Sequence, residues 1–123
     1  MERLTVREEE IMQVLWKLGK AFVKEIIAEL PDPKPPYTTV SSVVRLLEEK
    51  GFVGYTAFGR THQYFPLVDQ KEYAGSTFQR MVQDYFQGSY KNVVSFMMNA
   101  EEISDTELAE LRKLLEKGGQ NDA

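Results

Sequence analysis

The sequence predicts a mainly α-helical fold with one small β-hairpin. Apolar residues recur at helical spacing through most of the chain, and only the stretch 52–65 changes to the period and the aromatic, β-branched composition of strands. With 123 residues, the chain is long enough for one domain or for two small domains. The predicted order is three helices, a two-stranded hairpin and then a second set of helices.

The first two helices are predicted from capping and spacing signals. Thr5 is expected to be the N-cap of the first helix, and Glu8 is expected to be its reciprocal partner in a capping box. Gly19 is expected to end this helix. A second helix is predicted over 23–30, where apolar residues follow the i, i+3, i+4, i+7 pattern. The segment 31–36 cannot continue it, because four prolines in six residues remove backbone donors and fix φ.

A third helix and a hairpin complete the first predicted domain. The helix is predicted over 38–51, and strands follow at 52–58 and 61–65. The Gly-Arg pair between the strands suits a short hairpin connection. Because three short helices followed by a hairpin are the outline of a winged helix-turn-helix domain, we predict such a domain over residues 1–68.

The rest of the chain returns to helical spacing. Apolar stripes over 78–86 and 90–98 predict two helices, which Gly88 separates. Ser104 and Glu107 have the spacing of a second capping box, and leucines at helical spacing follow them. The second half of the chain is therefore predicted to be a set of three helices.

We predict that residues 69–118 form a helical dimerisation domain and that 119–123 are a flexible tail. Three helices in about 50 residues cannot bury such aromatic stripes within one chain. Left exposed, the stripes would form a large apolar patch of the kind that marks an interface. The chain is therefore expected to form a homodimer. The predicted interface residues are Phe78, Val82, Tyr85, Phe86, Tyr90, Val94, Leu108, Leu111 and Leu115.

Charge is distributed unevenly along the chain. The net charge is −4, but residues 1–68 carry nine basic and nine acidic side chains, whereas 69–123 carry six and ten. Binding to nucleic acid depends on the local potential and not on the total charge. The acidic total therefore does not exclude a nucleic-acid partner for the first domain.

Several chemical classes are excluded by composition. The chain has no cysteine, which excludes disulfides and thiolate sites, and its one histidine, His62, makes a histidine-rich metal site implausible. No nucleophile–base pair, phosphate-cradling glycine loop or metal-ligand spacing is present, so we expect neither an enzyme nor a cofactor. No run of about 18 apolar residues is present, and residues 1–5 lack the apolar core of a secretory signal. We therefore expect a cytoplasmic protein without membrane insertion.

The candidate DNA-contacting residues lie on the third helix, just before it and at the hairpin tip. In a winged helix, the third helix enters the major groove with its N-terminal residues facing base edges. Short hydrogen-bonding side chains allow a close approach there, and Arg45, one turn later, reaches a guanine or a phosphate. The cationic tip at Arg60 suits phosphate or minor-groove contact. The candidates are Lys34, Tyr37, Thr38, Thr39, Ser41, Ser42, Arg45, Arg60 and Thr61.

Two simpler interpretations remain open at this point. An ordinary helix start with a solvated face would carry the same short polar residues, and a solvated turn would carry the same arginine. The segment 38–66 has a charge of only +1, from three basic and two acidic side chains. This low charge leaves a winged-helix protein-interaction module without DNA binding as the alternative function.

Two segments carry a resemblance to a known family. The stretches YTTVSSVVRLLEEKGFV (37–53) and FGRTHQYFP (58–66) resemble the penicillinase-repressor (BlaI/MecI/CopY-type) family of bacterial transcription regulators. The opening stretch, 4–16, also looks like the first helix of that family. The resemblance covers nearly the whole chain, and it implies a homodimeric winged-helix repressor that binds double-stranded, palindromic operator DNA.

The resemblance also implies a way of releasing the operator. In the β-lactam branch of the family, a membrane sensor metalloprotease triggers cleavage of the repressor between an asparagine and a phenylalanine. The comparable place here is Asn99 followed by Ala100, so the asparagine is present and the phenylalanine is not. The cysteine cluster that binds copper in another branch is absent. If release is proteolytic, we expect the cut at or near Asn99 and Ala100 and a membrane sensor metalloprotease as partner.

Overall fold

The computed structural model describes residues 1–100 and 102–118, so the predicted tail at 119–123 lies outside the described residues. The prediction of a mainly helical fold with a small antiparallel sheet is confirmed. In chain order the elements are α1 (Val6–Leu18), β1 (Ala21–Phe22), α2 (Val23–Glu29), α3 (Tyr37–Glu49), β2 (Val53–Phe58), β3 (Thr61–Pro66), α4 (Gln70–Tyr85), α5 (Tyr90–Met98) and α6 (Asp105–Glu116).

The chain divides into two compact units, Met1–Thr77 and Phe78–Ala123. The division falls inside α4 and not at residue 68, so the first turns of α4 belong to the first unit. Tyr73 shows this, because its side chain is buried and its hydroxyl donates to Glu9 Oε2 at 2.6 Å. The domain limits 1–68 and 69–118 stay a prediction.

Helix α1 begins at the predicted capping box. The Thr5 N–H donates to Glu8 Oε1 at 2.8 Å, and the Glu8 N–H donates to Thr5 Oγ1 at 3.2 Å. Gly19 ends the helix with a φ of 83°, a left-handed conformation that glycine adopts without steric cost. The largest fully buried side chains of the first unit come from α1, α2, α3 and β2, and they are Ile11, Met12, Leu15, Ile26, Val40, Val44, Leu47 and Val53.

The sheet has three strands, whereas the sequence predicts two. The strand order is β1-β3-β2, and Ala21 of β1 pairs with Tyr64 while Phe22 pairs with Gln63. Two residues are too few to show the alternation that marks a strand, so the pattern could not reveal β1. Phe22 is also the N-cap of α2. The hairpin of β2 and β3, called the wing below, is therefore hydrogen-bonded to the residues that lead into α2.

Serine caps start the last two helices of the second unit. The Asn92 N–H donates to Ser89 Oγ at the start of α5, and the Glu107 N–H donates to Ser104 Oγ at the start of α6, both at 3.1 Å. Gly88 has a positive φ of 71° in the turn before α5. The predicted helix break at Gly88 and the predicted helix start at Ser104 are therefore confirmed.

Within residues 1–100 and 102–118, no helix has both the length and the apolar character that a membrane crossing requires. No group of three or more histidine, cysteine, aspartate or glutamate side chains there is arranged to hold a metal ion.

Candidate nucleic-acid interface

A groove of about 530 Å³ lies between α3 and the wing, and we call it the wing groove. Five of the nine predicted DNA-contacting residues line it together. Three of the five come from α3 and are spaced four residues apart. Residues at this interval lie above one another along one edge of a helix, so all three face the groove. Sequence reasoning therefore found residues that the fold brings into one place. They are Tyr37, Ser41, Arg45, Arg60 and Thr61.

Three more predicted contacts, Thr38, Thr39 and Ser42, are exposed on α3 and do not line the wing groove. Helical spacing puts Thr38 and Ser42 on the face opposite the buried stripe of this helix. Side chains on this outermost face meet a duplex first when the helix enters its major groove. Thr39 lies on the edge of α3 that faces away from the wing groove.

Lys34, the remaining predicted contact, is placed elsewhere. Its ammonium donates to the backbone carbonyl oxygens of Ala28 and Leu30. These carbonyls lie at the C-terminal end of α2, where a cation is favoured by the helix dipole. The side chain therefore stabilises the end of α2, and it does not line the wing groove.

The structure adds six residues to the wing groove that the sequence analysis did not choose as contacts: Phe22, Val23, Lys24, Glu25, His62 and Tyr64. Lys24 is exposed in the first turn of α2. In helix-turn-helix proteins the helix before the recognition helix crosses the DNA backbone. That rule could have pointed to an exposed lysine at the start of the second helix. His62 was assigned correctly to a strand, but its place in this groove depends on the fold.

The wing groove is cationic. Three basic side chains line it, Lys24, Arg45 and Arg60, against the single carboxylate of Glu25. That carboxylate accepts a hydrogen bond from the Phe22 N–H at 2.8 Å. The local charge is therefore more positive than the segment 38–66 suggests, because Lys24 comes from outside that segment. Such a groove attracts a phosphate backbone.

Aromatic rings form one wall of the wing groove. The imidazole of His62 stacks on the ring of Tyr55 with the centroids 4.0 Å apart and the planes at 9°. Tyr64 lies next to both, with centroid distances of 6.0 Å to His62 and 5.9 Å to Tyr55. Burial raises the pKa of the Tyr64 hydroxyl, and the nearby charge of Glu48 raises it further. The Tyr64 hydroxyl therefore stays protonated, and a hydrogen-bond donor, at neutral pH.

The predicted dimer-interface residues belong to the second unit, where an apolar groove of about 280 Å³ is present. Six of the nine line this apolar groove: Phe78, Tyr90, Val94, Leu108, Leu111 and Leu115. Of the other three, Tyr85 is exposed and Val82 is already buried within one chain. Phe86 is half-buried, and its ring packs edge-to-face on Phe96 at 5.5 Å.

The predicted cleavage position follows α5 directly. Asn99 is the C-cap of that helix and is exposed, and its side-chain amide donates to the carbonyl oxygen of Ser95 at 3.0 Å. Ala100 is half-buried, and residue 101 lies outside the described residues. The predicted cut therefore falls at the end of a helix.

Comparison with known proteins shows similarity over most of the chain. The sequence model of the penicillinase repressor family matches residues 4–117. The methicillin resistance regulatory protein MecI of Staphylococcus aureus (strain N315) is 26% identical over 111 residues, which cover 89% of this chain and 90% of MecI. The penicillinase repressor of Bacillus licheniformis is 27% identical over 112 residues, which cover 89% of this chain and 87% of that protein.

A solved structure is similar to part of the chain. It is the solution structure of the DNA binding domain of the repressor BlaI, with 27% sequence identity and a TM-score of 0.51. The similar region covers 59% of this chain and 94% of that domain. Because the family match spans nearly all of the sequence, the chain belongs to the penicillinase repressor family.

Proposed function

We propose that this protein, a DNA-binding repressor by family and not an enzyme, represses transcription by occupying a palindromic operator as a homodimer. The observation that carries this proposal is the wing groove, where three basic side chains from α2, α3 and the wing tip converge. When α3 lies in the major groove of a duplex, a phosphate backbone of that duplex would lie against the wing groove of the protein. We also propose that the protein acts in the cytoplasm, where its operator would be.

The position of each side chain supports a division of roles on DNA. We assign base contacts to the outward-facing Thr38 and Ser42 and to Arg45, which is long enough to reach a guanine edge. We assign phosphate contacts to Arg60 at the wing tip and to Lys24 at the start of α2. Phosphate contacts hold the helix in register, and base contacts give sequence preference.

The apolar groove of the second unit supports the homodimer. Tyr90 and Leu115 line it, and both are more than half exposed in a single chain. Apolar surface of this kind is stabilised when a second copy covers it. A twofold dimer presents two recognition helices about 34 Å apart, or a multiple of that distance, which matches a palindromic operator.

The release of the operator is proposed to be proteolytic, with a membrane sensor metalloprotease as the partner. A cut between Asn99 and Ala100 would separate α6 from the rest of the chain. Leu108, Leu111 and Leu115 of α6 line the apolar groove, so the cut would remove one of its walls. The dimer would weaken, and each recognition helix would then have to bind its half-site alone.

Selection of duplexes from a random-sequence pool tests the proposed function. A homodimeric repressor should enrich an inverted repeat with half-site centres about one helical turn apart. Its affinity should also fall steeply with salt, because each neutralised phosphate contributes about −0.9 to the slope of log K against log salt. A protein-interaction module would enrich no sequence and would bind DNA weakly at every salt concentration.

A further inference from the structure

We propose that His62 is a phosphate-contacting residue of the wing groove and that its protonation makes DNA binding tighter in mildly acidic solution. The proposal rests on the proposed DNA-binding function and extends it to a dependence on pH. Its ligand class is the phosphodiester backbone of duplex DNA.

The position of His62 in the sheet supports this role. His62 lies in β3 and lines the wing groove together with Arg45 and Arg60. Alternate residues of a strand point to opposite faces of the sheet, so Gln63 lies on the other face. A phosphate held by the two arginines would therefore be close to the imidazole and not to the neighbouring glutamine.

The contacts of His62 leave its ring nitrogens available. Tyr55 covers one face of the imidazole at 4.0 Å, and a stack of this kind leaves the edge of the ring uncovered. Across residues 1–100 and 102–118, no hydrogen bond or ion pair is formed by either ring nitrogen.

Charged and titratable groups surround His62 on every packed element. A phosphate among the cations supplies the negative charge that favours the protonated imidazole, which then donates a charge-assisted hydrogen bond. DNA binding and proton uptake are therefore coupled. The groups are Lys24 and Glu25 from α2, Tyr37 and Arg45 from α3, Tyr55 from β2, Arg60 from the turn and Tyr64 from β3, and the charge of Glu48 from α3 acts on the neighbouring Tyr64.

The composition of the chain makes the coupling between DNA binding and proton uptake easy to observe. An imidazole is the side chain that ordinarily changes charge between about pH 5 and pH 8. His62 is the one histidine among the 123 residues, and the chain has no cysteine. A pH dependence of DNA affinity that disappears when His62 is replaced is therefore assigned to this side chain.

The experiment measures the affinity for a random-sequence duplex at about pH 6 and about pH 8, at one ionic strength. For the wild-type protein we expect an affinity about threefold higher per half-site at the lower pH, or about tenfold for a dimer. The variant H62Q keeps a polar side chain but cannot take up a proton. Its affinity should show no increase between about pH 8 and about pH 6.

A double variant, H62Q/Q63H, is the matched control. It keeps one histidine in β3 and moves it to the sheet face away from the wing groove. Its affinity should be as insensitive to pH as that of H62Q. Equal pH dependence in all three proteins would overturn the proposal, and so would a pH-dependent double variant.

A spectroscopic measurement tests the same contact without relying on affinity. The wild-type protein has one imidazole signal to follow by NMR. The midpoint of its titration should rise when the random-sequence duplex is added, and an unchanged midpoint would overturn the proposal. If no protein binds DNA at any pH, the proposed function itself fails, which is a different result from binding that does not depend on pH.

Discussion

The ammonium of Lys50 lies 2.9 and 2.8 Å from the two carboxylate oxygens of Glu8, and it links the end of α3 to the first turn of α1. Glu8 is only 3% exposed, whereas Lys50 is partly exposed and also lies 3.4 Å from Glu2. The same Glu8 carboxylate accepts the Thr5 N–H of the capping box. One buried side chain therefore caps α1 and holds the C-terminal end of α3 in place.

Removing the charge of Glu8 should lower stability at neutral pH. Burial alone would raise the pKa of Glu8, but hydrogen bonds from Lys50 and Thr5 hold that pKa below 4.5. Its contribution is therefore present above about pH 4.5 and is lost as the pH falls through the lower native pKa. We expect E8Q, which can still accept the Thr5 hydrogen bond, to lose about 1.5–3 kcal/mol at pH 7, the net value of hydrogen bonds to a charged group.

Urea unfolding at about pH 7 and below about pH 4 measures this difference. The stability of E8Q and of the wild type should converge at the lower pH, because the protonated Glu8 of the wild type is then as uncharged as the glutamine of the variant. E2Q is the matched control, since Glu2 is exposed and its loss should cost less than about 0.5 kcal/mol. An E8Q protein as stable as the wild type at neutral pH would contradict this account.

Arg45 and Arg60 should affect DNA binding in different ways. If Arg45 contacts a base, R45A should lose about 1–3 kcal/mol on the selected operator and relax the preference at one position of each half-site. If Arg60 contacts phosphate alone, R60A should weaken binding to all duplexes alike and flatten the salt slope by about one unit per site. Binding curves on the selected and on random duplexes separate the two. Equal losses on both duplexes for both variants would show that Arg45 does not contact a base.

A charge in the apolar groove should break the dimer. Leu115 is 61% exposed in one chain and lines that groove, so a second copy that covers it would have to bury the aspartate of L115D. Sedimentation at micromolar concentration should show a dimer for the wild type and a monomer for L115D. E110Q, on the opposite side of α6, should remain a dimer. A monomeric wild type would rule out this interface.

Loss of α6 should weaken operator binding without any change to the wing groove. A chain that ends at Asn99 lacks the α6 wall of the apolar groove. We expect its operator affinity to fall about 10²-fold or more, because the second half-site contact is no longer intramolecular. A chain that ends at Gly118 keeps α6 and should bind as tightly as the full chain. Tight binding by the shorter chain would remove the mechanism proposed for release.

The parts of the fold that depend on local signals could be predicted from the sequence. The Thr5 and Glu8 capping box, the stop at Gly19 and the cap at Ser104 involve residues within one or two helical turns of each other. Five of the predicted contacts also meet in the wing groove, because helical spacing and hairpin position together determine which residues face it. The caps, the helix stop and the choice of residues that face the wing groove therefore follow from helix periodicity and from the position of the turn.

The remaining features depend on residues that are distant in the sequence. The partner of Glu8 lies 42 residues later, at Lys50, and no spacing rule connects the two. Lys24 joins the wing groove from α2 because the core of the first unit packs α2 beside α3. Strand β1 consists of two residues and became identifiable only once its partner β3 was in place. Tertiary packing, which a local pattern does not encode, decides these positions.

The short pairing of Ala21 with Tyr64 and of Phe22 with Gln63 has an effect on the thermodynamics of DNA binding. A hairpin attached only at its base would sample many orientations, and fixing it on a duplex would cost conformational entropy. Here β3 is hydrogen-bonded on both sides, to β1 and to β2, so most of that entropy is already lost on folding. The wing is thus preorganised, and more of the attraction between Arg60 and a phosphate is retained as affinity.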